Sequence, residues 1–195
     1  MSATRLTAQA CHRLGEAAWQ KMPKVNAELF SLTYGSMVAQ VIRDYEEVDK
    51  INIQLEKMGY NIGVRLIDEL LAKSGVGSGP PCTFRETADV ICKIAFKMFL
   101  NINAEVINWE PNDSAFTVAF GENPLSDFVE LPSHLHDLKY LNILCGVIRG
   151  GLEMVQTEVD VTLTKDLLVG APRNEIRVAH LGAVKLQMSE DYKES

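Results

Sequence analysis

The chain of 195 residues has no two cysteines at metal-ligand spacing. Its four cysteines, at 11, 82, 92 and 145, contain no C-x-x-C pair, so a structural zinc site is not expected. There is no H-E-x-x-H, and G-V-G-S-G lacks both the Lys-Ser/Thr pair and the preceding strand of a phosphate loop. No apolar run approaches the roughly 20 residues that span a bilayer. The N-terminus has no apolar leader core, so secretion is not expected and free thiols in a reducing compartment are the default. Positive charge is scarce too. A net charge of −7 and a pI near 5.1 lack the basic field of a nucleic-acid binder. Internal repeats and low-complexity blocks are absent. What remains is 47% hydrophobic and 23% charged, enough to build the core of one domain.

The most informative stretch runs from Gly59 to Leu100, GYNIGVRLIDELLAKSGVGSGPPCTFRETADVICKIAFKMFL. Leu66, Ile67, Leu70 and Leu71 recur at helical spacing before a Gly/Pro hinge. After it, Phe84, Ala88, Ile91, Ile94, Ala95, Met98 and Phe99 do the same, and Val90, Phe96 and Leu100 widen the surface to that of a buried helix. SGVGSGPP cannot continue a helix, because its glycines cost backbone entropy and its prolines remove donors. Thr83 and Glu86 form a T-x-x-E capping box, which sets the second helix start near Thr83. Cys82 then lies on a loop just outside a helix N-terminus, beside an apolar core. Such a place lowers a thiol pKa; the plain alternative is an unreactive exposed thiol. Cys92 and Cys145 fall inside apolar helices as small core residues, and Cys11 falls in a tail.

Residues 1–25 carry four basic side chains against Glu16, a net +3 that leaves the remainder at −10. Leu6, Ala10, Leu14, Ala17 and Ala18 give a weakly amphipathic pattern. The expectation is a disordered extension, with contact to an acidic membrane surface as the alternative. The domain proper is placed at 26–185, with 186–195 as a tail. Asn26 is the N-cap of a first helix whose Leu29, Phe30, Thr33, Tyr34, Met37, Val38, Val41, Ile42 and Tyr45 form an apolar stripe. A second helix is predicted over about 51–71, where Gly59 and Gly63 share a face: a close helix approach, or room for a ligand. Residues 104–109 and 115–120 are β-prone runs around the turn E-P-N-D-S. A loop-rich segment leads to a helix over 138–155, whose Gly146, Gly150 and Gly151 cost helix stability and so imply a packing reason. Residues 157–164 and 175–181 alternate as a second antiparallel pair across Gly170-Ala171-Pro172. The sum is an α+β domain, helices packed on one antiparallel sheet.

His134 and His136 form a weak metal signal for which a solvated loop is the simpler reading. A Cys82–His hydrolase stays open, since triad partners lie far apart in sequence. The remaining chemistry is covalent modification of Cys82, whose thiolate can attack a long-chain thioester. At about 0.8 kcal/mol per methylene, burying a palmitoyl chain is worth on the order of 11 kcal/mol, in the bilayer or inside the protein. An internal tunnel would draw on Ile91, Ile94, Ala95 and Met98, facing Leu66 and Ile67. Gly59, Gly63, Gly146 and Gly150 would thin the neighbouring helices.

ELFSLTYGSMVAQVIRDYE (28–46), LEKMGYNIGVRLIDELLAKS (55–74), FRETADVICKIAFKMFL (84–100), NPLSDFVELP (123–132), LNILCGVIRGGLEMVQ (141–156) and EIRV (175–178) closely resemble the Bet-three family of TRAPP (transport protein particle) vesicle-tethering subunits. The resemblance covers about residues 28–180. It implies helices on a twisted four-stranded antiparallel sheet. It also implies a homodimer or heterodimer through the first two helices, with Leu29, Phe30, Tyr34, Met37, Val38 and Val41 as candidate contacts. The family's acylated cysteine precedes the FRETADV helix, which points to Cys82 and to a palmitate or similar chain in an internal tunnel. The hinge G-S-G-P-P-C-T-F is longer than the usual form and adds a Pro pair. Further implications are other TRAPP subunits as partners and peripheral contact with cis-Golgi or ER-Golgi membranes from the cytoplasm. Exchange on a Rab-type GTPase follows only through the complex, with the segment after Leu181, including 187–195, nearest it. The implied role is a non-enzymatic subunit without a metal or nucleic acid. The competing class is a soluble lipid carrier using the same cavity.

Overall fold

A computed structural model describes residues 6–76 and 82–183. The 77–81 part of the hinge and the tail at 186–195, with the GTPase-facing segment expected there, lie outside the described residues.

The first element is a departure from expectation. Residues 8–21 form a docked helix, α1 (Ala8–Lys21), where the sequence predicts a disordered extension. Thr7 caps it, its side chain accepting from the Ala10 N–H. Its buried face is made of the small residues Cys11, Gly15 and Ala18, so it gains close backbone approach rather than large apolar area. A Cβ at Gly15 would stand 2.0 Å from the Lys93 carbonyl oxygen. A hydrophobicity pattern registers large side chains and misses a seat of this kind.

Helix α2 (Ala27–Asp44) starts at the Asn26 cap, whose side chain accepts from the Leu29 N–H. Helix α3 (Val48–Ser74) extends past both predicted ends and stops at Gly75, whose φ of 80° provides a left-handed C-cap. Helix α4 (Phe84–Asp89) opens on the complete Thr83/Glu86 capping box. It leads without a break into a π-helical turn, Val90–Ala95, and then α5 (Phe96–Leu100). The extra residue of that turn is marked by the Phe96 N–H donating to the Ile91 carbonyl. Periodicity alone did not reveal it.

Strands β1 (Glu105–Ile107) and β2 (Ala115–Phe120) form one antiparallel pair, and β3 (Thr157–Lys165) and β4 (Asn174–Ala183) the other. The two hairpins join through β2 and β4, giving the order β1-β2-β4-β3 with Phe116 opposite Val178 and Val118 opposite Ile176. Those four side chains are fully buried. Between the hairpins runs α6 (Asn142–Met154), which packs on β3 and most extensively on α3. The opposite sheet face is polar. Arg177 donates to both Glu110 oxygens at 2.7 and 2.9 Å, while Arg173 and Lys165 hold Glu175 at 2.9 and 3.2 Å. Burial alone would raise the Glu175 carboxyl, but those two cations outweigh it and leave it below its ordinary value.

Helices α3 and α6 cross at unusually short range. A Cβ at Gly59 would lie 1.9 Å from the Ile143 carbonyl oxygen, at Gly63 2.2 Å from that of Val147, at Gly146 2.0 Å from that of Glu56 and at Gly150 2.3 Å from that of Tyr60. Polar ties lock the crossing. Asn52 donates to the Asp137 carbonyl and accepts from the Lys139 N–H, and Arg149 pairs with Glu56 at 2.9 Å.

Candidate functional site

Between α2 and α3 on one side and the π turn, α5 and α6 on the other lies a cavity of about 850 Å³. That is within the roughly 300–1,000 Å³ typical of small-molecule sites. Its walls are Leu66, Ile67 and Leu70 from α3, Ile91, Ala95, Phe96 and Phe99 from the π turn and α5, and Ile143, Leu144, Val147 and Ile148 from α6. None of the described lining residues carries a charge; the polar groups are few, among them Thr33, Thr87 and Gln156. A charged ligand would lose its hydration there without a partner. An alkyl chain would not.

Cys82 borders this cavity and is half-buried. The helix N-terminus beside it does not lower its pKa as the sequence reading expects. Burial raises it, and the Glu86 carboxylate raises it further. The reason is local. Glu86 Oε2 accepts from the Thr83 N–H at 2.9 Å and from the Thr83 hydroxyl at 2.9 Å, so the capping box places an anion where the helix terminus would have favoured a thiolate. Near neutral pH the thiol is predominantly protonated. The other three cysteines are buried. Desolvation pushes Cys11 up to about 11 and Cys92 and Cys145 to about 12. Cys11 is therefore not a tail residue.

Of the ten predicted tunnel residues, Gly63, Leu66, Ile67, Ile91 and Ala95 line the cavity. Gly59, Gly146 and Gly150 do not. They spend their missing side chains on the α3–α6 crossing, the close-approach alternative raised by the sequence. Ile94 and Met98, at 0% and 1% exposure, turn away from the cavity into a second apolar cluster beneath α1. From α6 the sequence points to Gly146 and Gly150 rather than to the lining residues Ile143, Leu144, Val147 and Ile148, although the apolar period of 138–155 is the signal for them.

The α2 stripe also divides. Tyr34 and Val38 face the protein's own core, the Tyr34 hydroxyl donating to the Tyr140 carbonyl at 2.6 Å, and Val41 packs against the same core. Leu29, Phe30 and Met37 are exposed, at 65%, 39% and 42%. Exposed Leu32 and Ile62 add to the apolar surface of these two helices. Phe30, Met37 and Ile62 also border the cavity, so its far rim is continuous with that surface.

His134 and His136 sit exposed in a loop. Among the described residues no group of three or more His, Cys, Asp or Glu could hold a metal ion, and no helix is long and apolar enough to cross a membrane.

The profile of the transport protein particle (TRAPP) component family matches residues 30–179. A curated relative from Dictyostelium discoideum, trafficking protein particle complex subunit 3, is 53% identical over 168 residues, 85% of this chain and 89% of that one. Trafficking protein particle complex subunit BET3 of Saccharomyces cerevisiae is 48% identical over 169 residues, 85% of this chain and 86% of that one. Among solved structures, trafficking protein particle complex subunit 3 from Naegleria fowleri, covalently bound to palmitic acid, superposes with a TM-score of 0.80 at 51% identity. That match covers 84% of this chain and 99% of the other.

Proposed function

We propose, from the premise that this chain belongs to the TRAPP component family, that it is a non-enzymatic subunit of a vesicle-tethering assembly and carries a fatty acyl chain as a thioester on Cys82. The observation that carries this reading is the position of Cys82 at the edge of a large cavity whose described lining carries no charge. The covalent palmitic acid of the Naegleria fowleri relative supports it. In the modification step the Cys82 thiolate attacks the carbonyl of a long-chain acyl thioester such as acyl-CoA. The new S–C bond forms as the donor's thiolate departs, and that thiolate takes up the proton Cys82 gave to solvent. The alkyl chain then lies in the cavity, where each methylene is worth about 0.8 kcal/mol. A chain stored there is unavailable to a bilayer, so acylation supports the fold and not membrane anchoring.

The same reading assigns α2 and α3 to subunit pairing, through exposed Leu29, Phe30 and Met37 and neighbouring Leu32 and Ile62. Tyr34 and Val38 serve that surface from beneath. Nucleotide exchange on a Rab-type GTPase and residence on the cytosolic face of cis-Golgi or ER-Golgi membranes belong to the assembly. The apolar far rim at Phe30, Met37 and Ile62 favours one second reading, a lipid carrier that loads and unloads through it. A carrier is a monomer with exchangeable lipid, and an assembly subunit pairs.

Intact mass before and after neutral hydroxylamine, beside the Cys82→Ser variant, tests the site. The expected result is a gain of one long acyl chain, lost with hydroxylamine and absent from Cys82→Ser. A modification that persists in Cys82→Ser refutes the assignment.

A further inference from the structure

We propose that α1 is a cover for Cys82 supplied by the chain itself, and that it must leave its seat before an acyl donor can reach the thiol. This rests on the acylation reading above and concerns its regulation. Helix α1 precedes the residues that match the family profile, 30–179. Its lead-in is tied to the turn that carries the cysteine. The Leu6 N–H donates to Glu86 Oε1 at 3.1 Å, while Glu86 Oε2 accepts from Thr83 at 2.9 Å. One carboxylate thus joins the start of α1 to the residue next to Cys82.

Apolar contact follows the same line. Leu6, Cys11 and Cys82 share a cluster with Val76, Val90, Ile94 and Met98. Cys82 therefore belongs both to the cavity wall and to the cluster that α1 covers. An acyl donor is an alkyl chain on a large polar carrier, and that carrier cannot enter an uncharged cavity. It has to approach from outside, where Leu6 and the first turn of α1 stand.

The seat is one that can open. Beyond Cys11, Gly15 and Ala18, α1 and its flanks bury Leu6, Leu14 and Met22 only in part, and Glu16, which pairs with Lys97 at 2.9 Å, is 42% exposed. Elements with so little buried apolar area open locally well before the whole fold does. While α1 is seated, burial and Glu86 also keep the thiol protonated.

The test uses the full-length, unacylated chain treated with iodoacetamide, labelling being read cysteine by cysteine from peptide masses, and in parallel with palmitoyl-CoA. Gly15→Leu places a side chain 2.0 Å from the Lys93 carbonyl oxygen and should unseat α1. The expected result is labelling of Cys11, a rise of about tenfold or more in Cys82 alkylation, a matching rise in acylation, and continued protection of Cys92 and Cys145. Labelled Cys11 with an unchanged Cys82 rate overturns the proposal, and so does a Cys11 that stays protected, since the seat would then not be the one described. If Cys92 and Cys145 also react, the milder Glu16→Lys replaces it: Cys82 should react faster, and adding Lys97→Glu should restore protection. Failure of that restoration refutes the cover. Faster alkylation with no acylation from palmitoyl-CoA would leave the cover standing and refute the acylation reading instead.

Discussion

Replacing Gly59 by alanine separates packing from ligand space. In an isolated helix the change stabilises by about 1 kcal/mol, because alanine loses less backbone entropy than glycine. Here the new methyl would stand 1.9 Å from the Ile143 carbonyl oxygen, against the 3.0 Å below which such contacts essentially never occur. The obstacle is backbone, so no rotamer relieves it, and α3 must retreat from α6 by about 1 Å. A gap of 0.5–1 Å forfeits roughly a quarter to a half of each dispersion contact across it. Ile51, Leu55, Leu144 and Ile148, all buried along these two helices, lose accordingly. Overpacking of this kind costs about 1–3 kcal/mol and occasionally more. Forcing two backbones apart belongs at the upper end, and after the helix-propensity gain the net loss is about 2 kcal/mol. At about 2–4 °C per kcal/mol for a chain of this size, Tm should fall by about 4–8 °C. Differential scanning calorimetry on the unacylated protein measures it, with Gly121→Ala, which meets nothing within 4 Å, as the control. A Tm equal to or above that of the parent refutes the close crossing. Unchanged Tm with lost acyl occupancy would return Gly59 to the cavity wall.

Ala95→Phe, which fills the cavity from its wall, should give a folded protein with no acyl gain in its intact mass although Cys82 is still present. Alkylation of Cys82 should keep accelerating above pH 9 without a plateau below it, because burial and Glu86 raise its pKa; a plateau near pH 7–8 in a stopped-flow profile contradicts that placement. Folding stability should decline as pH rises from about 9 towards 12. Cys11, Cys92 and Cys145 hold their protons more tightly when folded, so the unfolded chain loses its protons first and is favoured; urea midpoints across that range check the sign. Tyr34→Phe removes the bond to the buried Tyr140 carbonyl and should cost about 0.5–1.5 kcal/mol in the same assay.

Much of this could be read from the residues because local and global signals agree. The Thr83/Glu86 box, the Asn26 cap, the two hairpin turns and the apolar periods of α3 and α6 each specify what the tertiary fold then uses. The cavity side of the π turn was legible for Ile91 and Ala95, and for Leu66 and Ile67 opposite. Ile94 and Met98 were not separable from them, since a widely apolar helix does not say which of its sides meets a cavity and which a neighbour. The same ambiguity hid Tyr34 and Val38 within the α2 stripe. Seating of α1 was invisible because it depends on small residues meeting a carbonyl, a contact with no hydrophobic signature. The Cys82 pKa was misjudged because the residue that caps the helix also brings a negative charge to it.

The π turn at Val90–Ala95 bears on how this chain tolerates changes of length. Inserting or deleting one residue in an α-helix turns everything beyond it by ~100°, which normally ruins a buried element. Phe84–Leu100 already contains such an insertion, confined to a single turn. Removing one residue between Val90 and Ala95 would restore a regular helix and leave Phe96, Phe99 and Leu100 on the cavity wall, while α4 and its cap stayed where they are. The segment is in effect spliced from two helices with independent phases. Alignments across it should therefore be anchored separately at FRETAD and at FKMFL.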